Sequence, residues 1–115
     1  MKNNPKLNAL HDSFACVLCS IIKNDGQISK EERSKFDDFF KKEFDLAQDT
    51  IDQLFETTVQ NELDSEKHIE LLKEGFSGEM MVKARFMQYL NECVLCDGIG
   101  DEEYAVFEMV RGRLF

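Results

Sequence analysis

The nine residues NDGQISKEE, positions 24–32, decide how the rest of the chain is read. Aligned on Asp25-Gly26, they match the second half of an EF-hand calcium loop: Asp25 takes loop position 5, Gly26 position 6, Ser29 position 9 and Glu32 position 12. Ile28 falls on the central apolar place. The first half of the loop fails. Positions 1 and 3 call for acidic or amide ligands and hold Ile21 and Lys23 instead. The stretch is therefore not a self-contained calcium loop. It reads as a turn between two helices, the second opened by the S-x-x-E capping box of Ser29 and Glu32.

A helix on each side of this turn fits the whole chain of 115 residues. Apolar residues make up 43 % of it, ten of them Phe, and only one Pro and six Gly interrupt the helical spacing. Leu7, Leu10, Phe14, Val17, Leu18, Ile21 and Ile22 mark a first helix that ends near Asn24. A second, about Lys30 to Phe44, carries Phe36, Phe39, Phe40 and Phe44. Ile51, Leu54, Phe55 and Val59 mark a third, with Asp49 as its candidate N-cap. A fourth starts at Asp64 or Ser65 and holds Ile69 and Leu72, with breaks expected at Gly75 and Gly78. The fifth, Glu79 to Cys96, is apolar on most sides, which predicts the buried centre of a bundle. The sixth runs from about Glu102 to the end. The expected fold is a single all-α domain over residues 1–115, a compact bundle of about six helices.

The opening turn has an echo. A shift of 72 residues puts Phe14 on Phe86, Leu18 on Leu90, Asp25 on Asp97 and Gly26 on Gly98. After a one-residue deletion, Ile28 meets Ile99, Glu31-Glu32 meets Glu102-Glu103 and Phe36 meets Phe107. Matches of Phe and Leu are cheap between amphipathic helices, but the shared Asp-Gly-(x)-Ile-x-x-Glu-Glu turn is not. Two helix–turn–helix units about a pseudo-twofold axis follow, with the third and fourth helices inserted between them.

Helical phase adds chemistry to the echo. Asp25 continues the series Leu18, Ile22, and Asp97 continues Leu90, Val94. Glu32 opens Glu32, Phe36, Phe39/Phe40, and Glu103 opens Glu103, Phe107, Val110, Leu114. All four carboxylates thus sit at the ends of apolar stripes rather than on solvated faces. Clustered, partly desolvated carboxylates must be protonated, hydrogen-bonded or neutralised by a cation. Asp25, Glu32, Asp97 and Glu103 are the candidate ligands of a divalent cation shared between the turns. Calcium, magnesium or manganese suits such oxygen donors better than zinc. The alternative is helix punctuation alone, since Asp-Gly ends helices and Ser-x-x-Glu starts them.

Other features exclude more than they suggest. The net charge of −9 opposes nucleic acid and anionic membranes, and favours cations or a basic protein surface. The N-terminus lacks the apolar core of a signal peptide, and the longest apolar run, ACVLCSII at 15–22, is too short to span a bilayer. A cytoplasmic location with reduced cysteines is expected. CVLC occurs at 16–19 and 93–96, but within helices rather than in knuckle turns, so the thiols read as small core residues. His11 and His68 read as solvated, and the mixed-charge run Glu66 to Glu74 as a solvated helix face. Met80, Met81 and Met87 read as core filler rather than as a Met-rich docking groove. No nucleophile motif or phosphate loop is present, and an enzyme is the least supported class.

KNDGQISKEE in the first half and LCDGIGDEE in the second resemble the tellurite-resistance TerB family over nearly the whole chain, from about Leu7 to Phe115. The same domain forms the N-terminal part of some J-domain membrane co-chaperones. The resemblance implies a compact helical bundle whose acidic cluster binds divalent metal, the matching positions being Asp25 and Glu32, then Asp97 and Glu103. The second turn departs from the pattern by its deletion and by Gly100, so Glu102 competes with Glu103 for the last place. The expected function is a non-catalytic binding module. Its alternative is a metal-free interaction domain whose acidic face docks a basic protein.

Overall fold

The computed structural model describes residues 4–22, 28–61, 64–95 and 101–114, with residues 101–103 given by their backbone alone. Among the described residues there are seven helices and no strand: α1 Pro5–Asn8, α2 His11–Ile22, α3 Lys30–Phe44, α4 Gln48–Gln60, α5 Ser65–Gly75, α6 Met80–Leu95 and α7 Asp101–Leu114. The Cα radius of gyration, 12.9 Å, is that of a compact domain of this size.

The expected first helix is two. Asn4 caps α1 by accepting from the Lys6 and Leu7 N–H groups, and Pro5 takes the first helical place, where no N–H is needed. The chain then tightens, with Leu10 N–H bonding Leu7 O at 2.9 Å, before Phe14 N–H to Leu10 O resumes the helical ladder. The break turns Leu7 and Leu10 toward α5. There Gly75, the last residue of α5, is also a close contact, because a Cβ at Gly75 would stand 2.6 Å from Leu10 Cδ1 and 3.3 Å from Leu7 Cδ2. This glycine is a contact surface. The turn falls to Gly78, whose φ of +81° is in the left-handed region.

Two starts were open or differently placed in the sequence. Of Asp64 and Ser65, Asp64 caps α5, accepting from Lys67 N–H at 3.3 Å. α4 starts one residue before Asp49, after Ala47, which offers no side-chain cap. Asp49 instead lies in the first turn, where its charge favours the positive end of the helix. The mixed-charge face of α5 is solvated as expected, with Ile69 and Leu72 turned inward.

The central helix is α2, not α6. Nine of the twelve residues of α2 are buried, and it packs against each of α3 to α7. α6 buries Phe86, Met87, Leu90, Cys93 and Val94 but leaves Met80 and Met81 61 % and 81 % exposed. Its first turn projects past the core, so these methionines are not filler.

The helix pairings have the form that a pseudo-twofold exchange requires. Swapping α2 with α6 and α3 with α7 turns the observed α2–α3 contact into α6–α7, and α3–α6 into α2–α7, both of which occur. α2 meets α6 directly across the axis. There the repeat-related Phe14 and Phe86, both fully buried, touch edge to face with ring centroids 5.0 Å apart. The helix starts obey the deletion as well, since α3 opens at Lys30 and α7 at its counterpart Asp101. α4 and α5 form the insert, and α4 is held to α3 in part by Arg33, which pairs with Asp52 and with Asp37 of its own helix and lies 4.2 Å over the Phe55 ring.

Candidate functional site

Glu32 is where the sequence places it. Its carboxylate is fully buried at the start of α3, ahead of the buried Phe36, Phe39 and Phe40. The capping box is complete: Glu32 N–H donates to Ser29 Oγ at 3.1 Å, and Ser29 N–H donates to Glu32 Oε1 at 3.2 Å. A carboxylate withdrawn from water costs free energy unless it is hydrogen-bonded, paired or protonated. The capping bond supplies part of that compensation. Ile28, just before the box, is exposed.

Asp25 and Asp97 lie outside the described residues, as does the side chain of Glu103. The apolar residues that share their helical phase in the sequence, Leu18, Ile22, Leu90, Val94, Phe107, Val110 and Leu114, are all buried. Ile21 and Cys93, at the places where an EF-hand would need its first ligand, are core residues. Among the described residues, no group of three or more His, Cys, Asp and Glu side chains is placed to hold a metal ion.

Two polar clusters lie elsewhere. Glu43 of α3, 7 % exposed, accepts from Arg85 Nη1 at 2.8 Å and from the Tyr89 hydroxyl at 3.4 Å, both on α6. Burial and the Glu43 charge push the Tyr89 phenol up to about 12. Helical phase reveals this buried acid, because Glu43 stands four residues after Phe39 and seven after Phe36. The second cluster joins buried Ser13 of α2 to His68 of α5, Oγ to Nδ1 at 2.8 Å. Neither histidine is solvated as the sequence suggested. His68 is half-buried beside Ser13, and His11 packs edge-on against Phe44 at 4.5 Å. Burial lowers the His11 pKa, with Asp12 opposing the shift.

Cys16, Cys19 and Cys93 are buried thiols, and Cys96 lies outside the described residues. Burial, aided by the charge of Asp64, raises the Cys16 pKa, which suppresses the reactive thiolate. No helix among the described residues is long and apolar enough to cross a membrane.

A duplicated helix–turn–helix bundle with acidic turns defines a class of small helical modules. The family model described as tellurite resistance protein TerB matches residues 11–114, and the chain belongs to the TerB family. No curated protein and no solved structure matches it.

Proposed function

We propose that this chain is a non-catalytic binding module of the cytoplasm, acting in a stress or tellurite response, whose two Asp-Gly turns hold a divalent cation. The single observation that supports the reading is Glu32, a fully buried carboxylate at the mouth of an apolar stripe whose counterpart in the second repeat is Glu103. Family membership adds to it. Asp25 and Asp97 would be the primary ligands, with Glu32 and Glu103 completing the site from the helix starts. Carboxylate oxygens of this kind fit hard cations, so calcium, magnesium or manganese is favoured over zinc. The cation would neutralise charge and brace the turns.

The test is calorimetry and thermal melting with each of the four ions. An ion that binds only the folded chain, at about 100 times its dissociation constant, stabilises it by about 2.7 kcal/mol. Asp25→Ala with Asp97→Ala should remove that gain. If no ion raises the melting temperature, or the double variant keeps the rise, the cation reading fails. The capping role of Glu32 and docking of a basic protein by the acidic surface would then be the better account, and the net charge of −9 favours that second reading.

A further inference from the structure

Between α6 and α7 the surface opens into an apolar cleft of about 440 Å³ lined by Ala84, Met87, Phe107, Arg111 and Gly112. Met87 and Phe107, 8 % and 9 % exposed, form its floor. Met80 lies one turn before Ala84 on the same face of α6 by helical spacing, and stands largely in solvent. Ala84 and Gly112 are the small residues of the two walls, and a Cβ at Gly112 would meet nothing within 4 Å. An open apolar cleft between two helices, with flexible thioethers at its mouth and floor, is the form that takes the apolar face of a partner helix.

Charge identifies the occupant. Residues 80–88 and 107–114, which supply the walls, hold Lys83, Arg85, Arg111 and Arg113 against the single carboxylate Glu108. The rest of the chain holds ten cations against twenty-two carboxylates. Arg85 turns away to Glu43, Arg113 to Glu66 and Lys83 to the Leu114 carbonyl, and Arg111 is the charge that lines the groove. Its guanidinium is 57 % exposed, and its pair with Glu108 is a surface contact one helical turn away.

We propose that the α6–α7 groove docks an acidic amphipathic helix of another protein, its apolar face on Met87 and Phe107 and a flanking carboxylate on Arg111. An anionic membrane meets the same local chemistry, but over a flat lipid surface the net charge of −9 acts as a whole and opposes adsorption. A helix confined to the groove meets only the local charge. The proposal is independent of the cation reading, since Asp25 and Asp97 play no part in it and chelation with EDTA should leave docking unchanged.

The probe is a displayed library of helical peptides with apolar residues fixed at i, i+4 and i+7 and with Glu, Lys or Gln varied on the flanks. It is selected against the whole chain and against Gly112→Leu, which fills the groove and removes a helix-weakening residue where there is room for a side chain. Glu-flanked peptides should be enriched, lose at least tenfold in affinity on Gly112→Leu, and weaken severalfold on Arg111→Glu. Melting curves should show both variants folded. Three results would each overturn the proposal: enrichment indifferent to Gly112→Leu, enrichment of Lys-flanked peptides, or binding only to phosphatidylserine vesicles. Concentration-dependent dimers in sedimentation that vanish on Gly112→Leu would assign the groove to a second copy and overturn it too.

Discussion

The chain has no Trp and only two Tyr, so the phenolate band near 295 nm offers a direct view of the α3–α6 interface. In a Tyr104→Phe background, Tyr89 is the sole reporter. Its pKa is pushed up to about 12, first by burial, then by the charge of Glu43 and the hydrogen bond to it, with Arg85 opposing. Two substitutions should therefore move the titration in opposite directions. Glu43→Gln removes the charge, weakens the hydrogen bond and lowers the midpoint, though burial keeps it above the free-tyrosine value of about 10. Arg85→Ala removes the opposing cation and raises it further. The same shift is a stability statement. The folded-state value lies above the unfolded one, so the contribution is fully present below about pH 10 and is lost as pH rises toward 12. At about 1.36 kcal/mol per unit, the ceiling is about 2.7 kcal/mol. Tyr89 retains an open flank, and solvent screening reduces the effect to about 1 kcal/mol. Urea midpoints between pH 9 and pH 12 should fall more steeply for this background than for Tyr89→Phe. A native phenolate transition near pH 10, or one that Glu43→Gln leaves in place, would refute the assignment of Glu43 as the buried partner.

Phe14→Ala removes a fully buried ring that touches Phe39, Phe44, Phe76 and Phe86, and should cost about 3–5 kcal/mol by denaturant unfolding. Phe86→Ala should cost a similar amount, and the double variant less than the sum, because the two rings share one contact. The lowered His11 pKa makes the folded state resist protonation, so stability should decline as pH falls below about 6.5 toward the folded-state value. His11→Gln should flatten that slope in urea midpoints measured between pH 7.5 and pH 5.5.

Local periodicity carries the fold a long way here. The series Glu32, Phe36, Phe39, Phe40 is buried as spaced, and the same phase runs on to Glu43, a signal that the charged neighbours Lys41 and Lys42 obscure. Which helix lies at the centre is a different kind of fact. α2 and α6 are both rich in apolar residues, and only the packing of the insert against α2 distinguishes them. The exposed Met80 and Met81 follow from that choice and have no local signature. Gly75 is similar. As a sequence signal it marks a break, and α5 ends there, but only the approach of Leu7 and Leu10 from sixty-odd residues away shows it as a close contact as well. The candidate cation ligands were legible because two turns repeat each other, so each could be checked against its partner. Of the four, Glu32 has its burial and bonding in view.

The Phe14–Phe86 contact also governs how the chain assembles during synthesis. α2 is translated before the helices it packs against, and those partners extend to α7, near position 114. Closing contacts over about seventy residues carries an entropic cost that local helix pairs avoid, so folding is expected to be slower than for an up-and-down bundle of equal length. Until the second repeat emerges from the ribosome, the apolar run ACVLCSII lacks the cover that α6 and α7 provide. The nascent first repeat therefore leaves apolar surface uncovered, the condition that favours aggregation during folding.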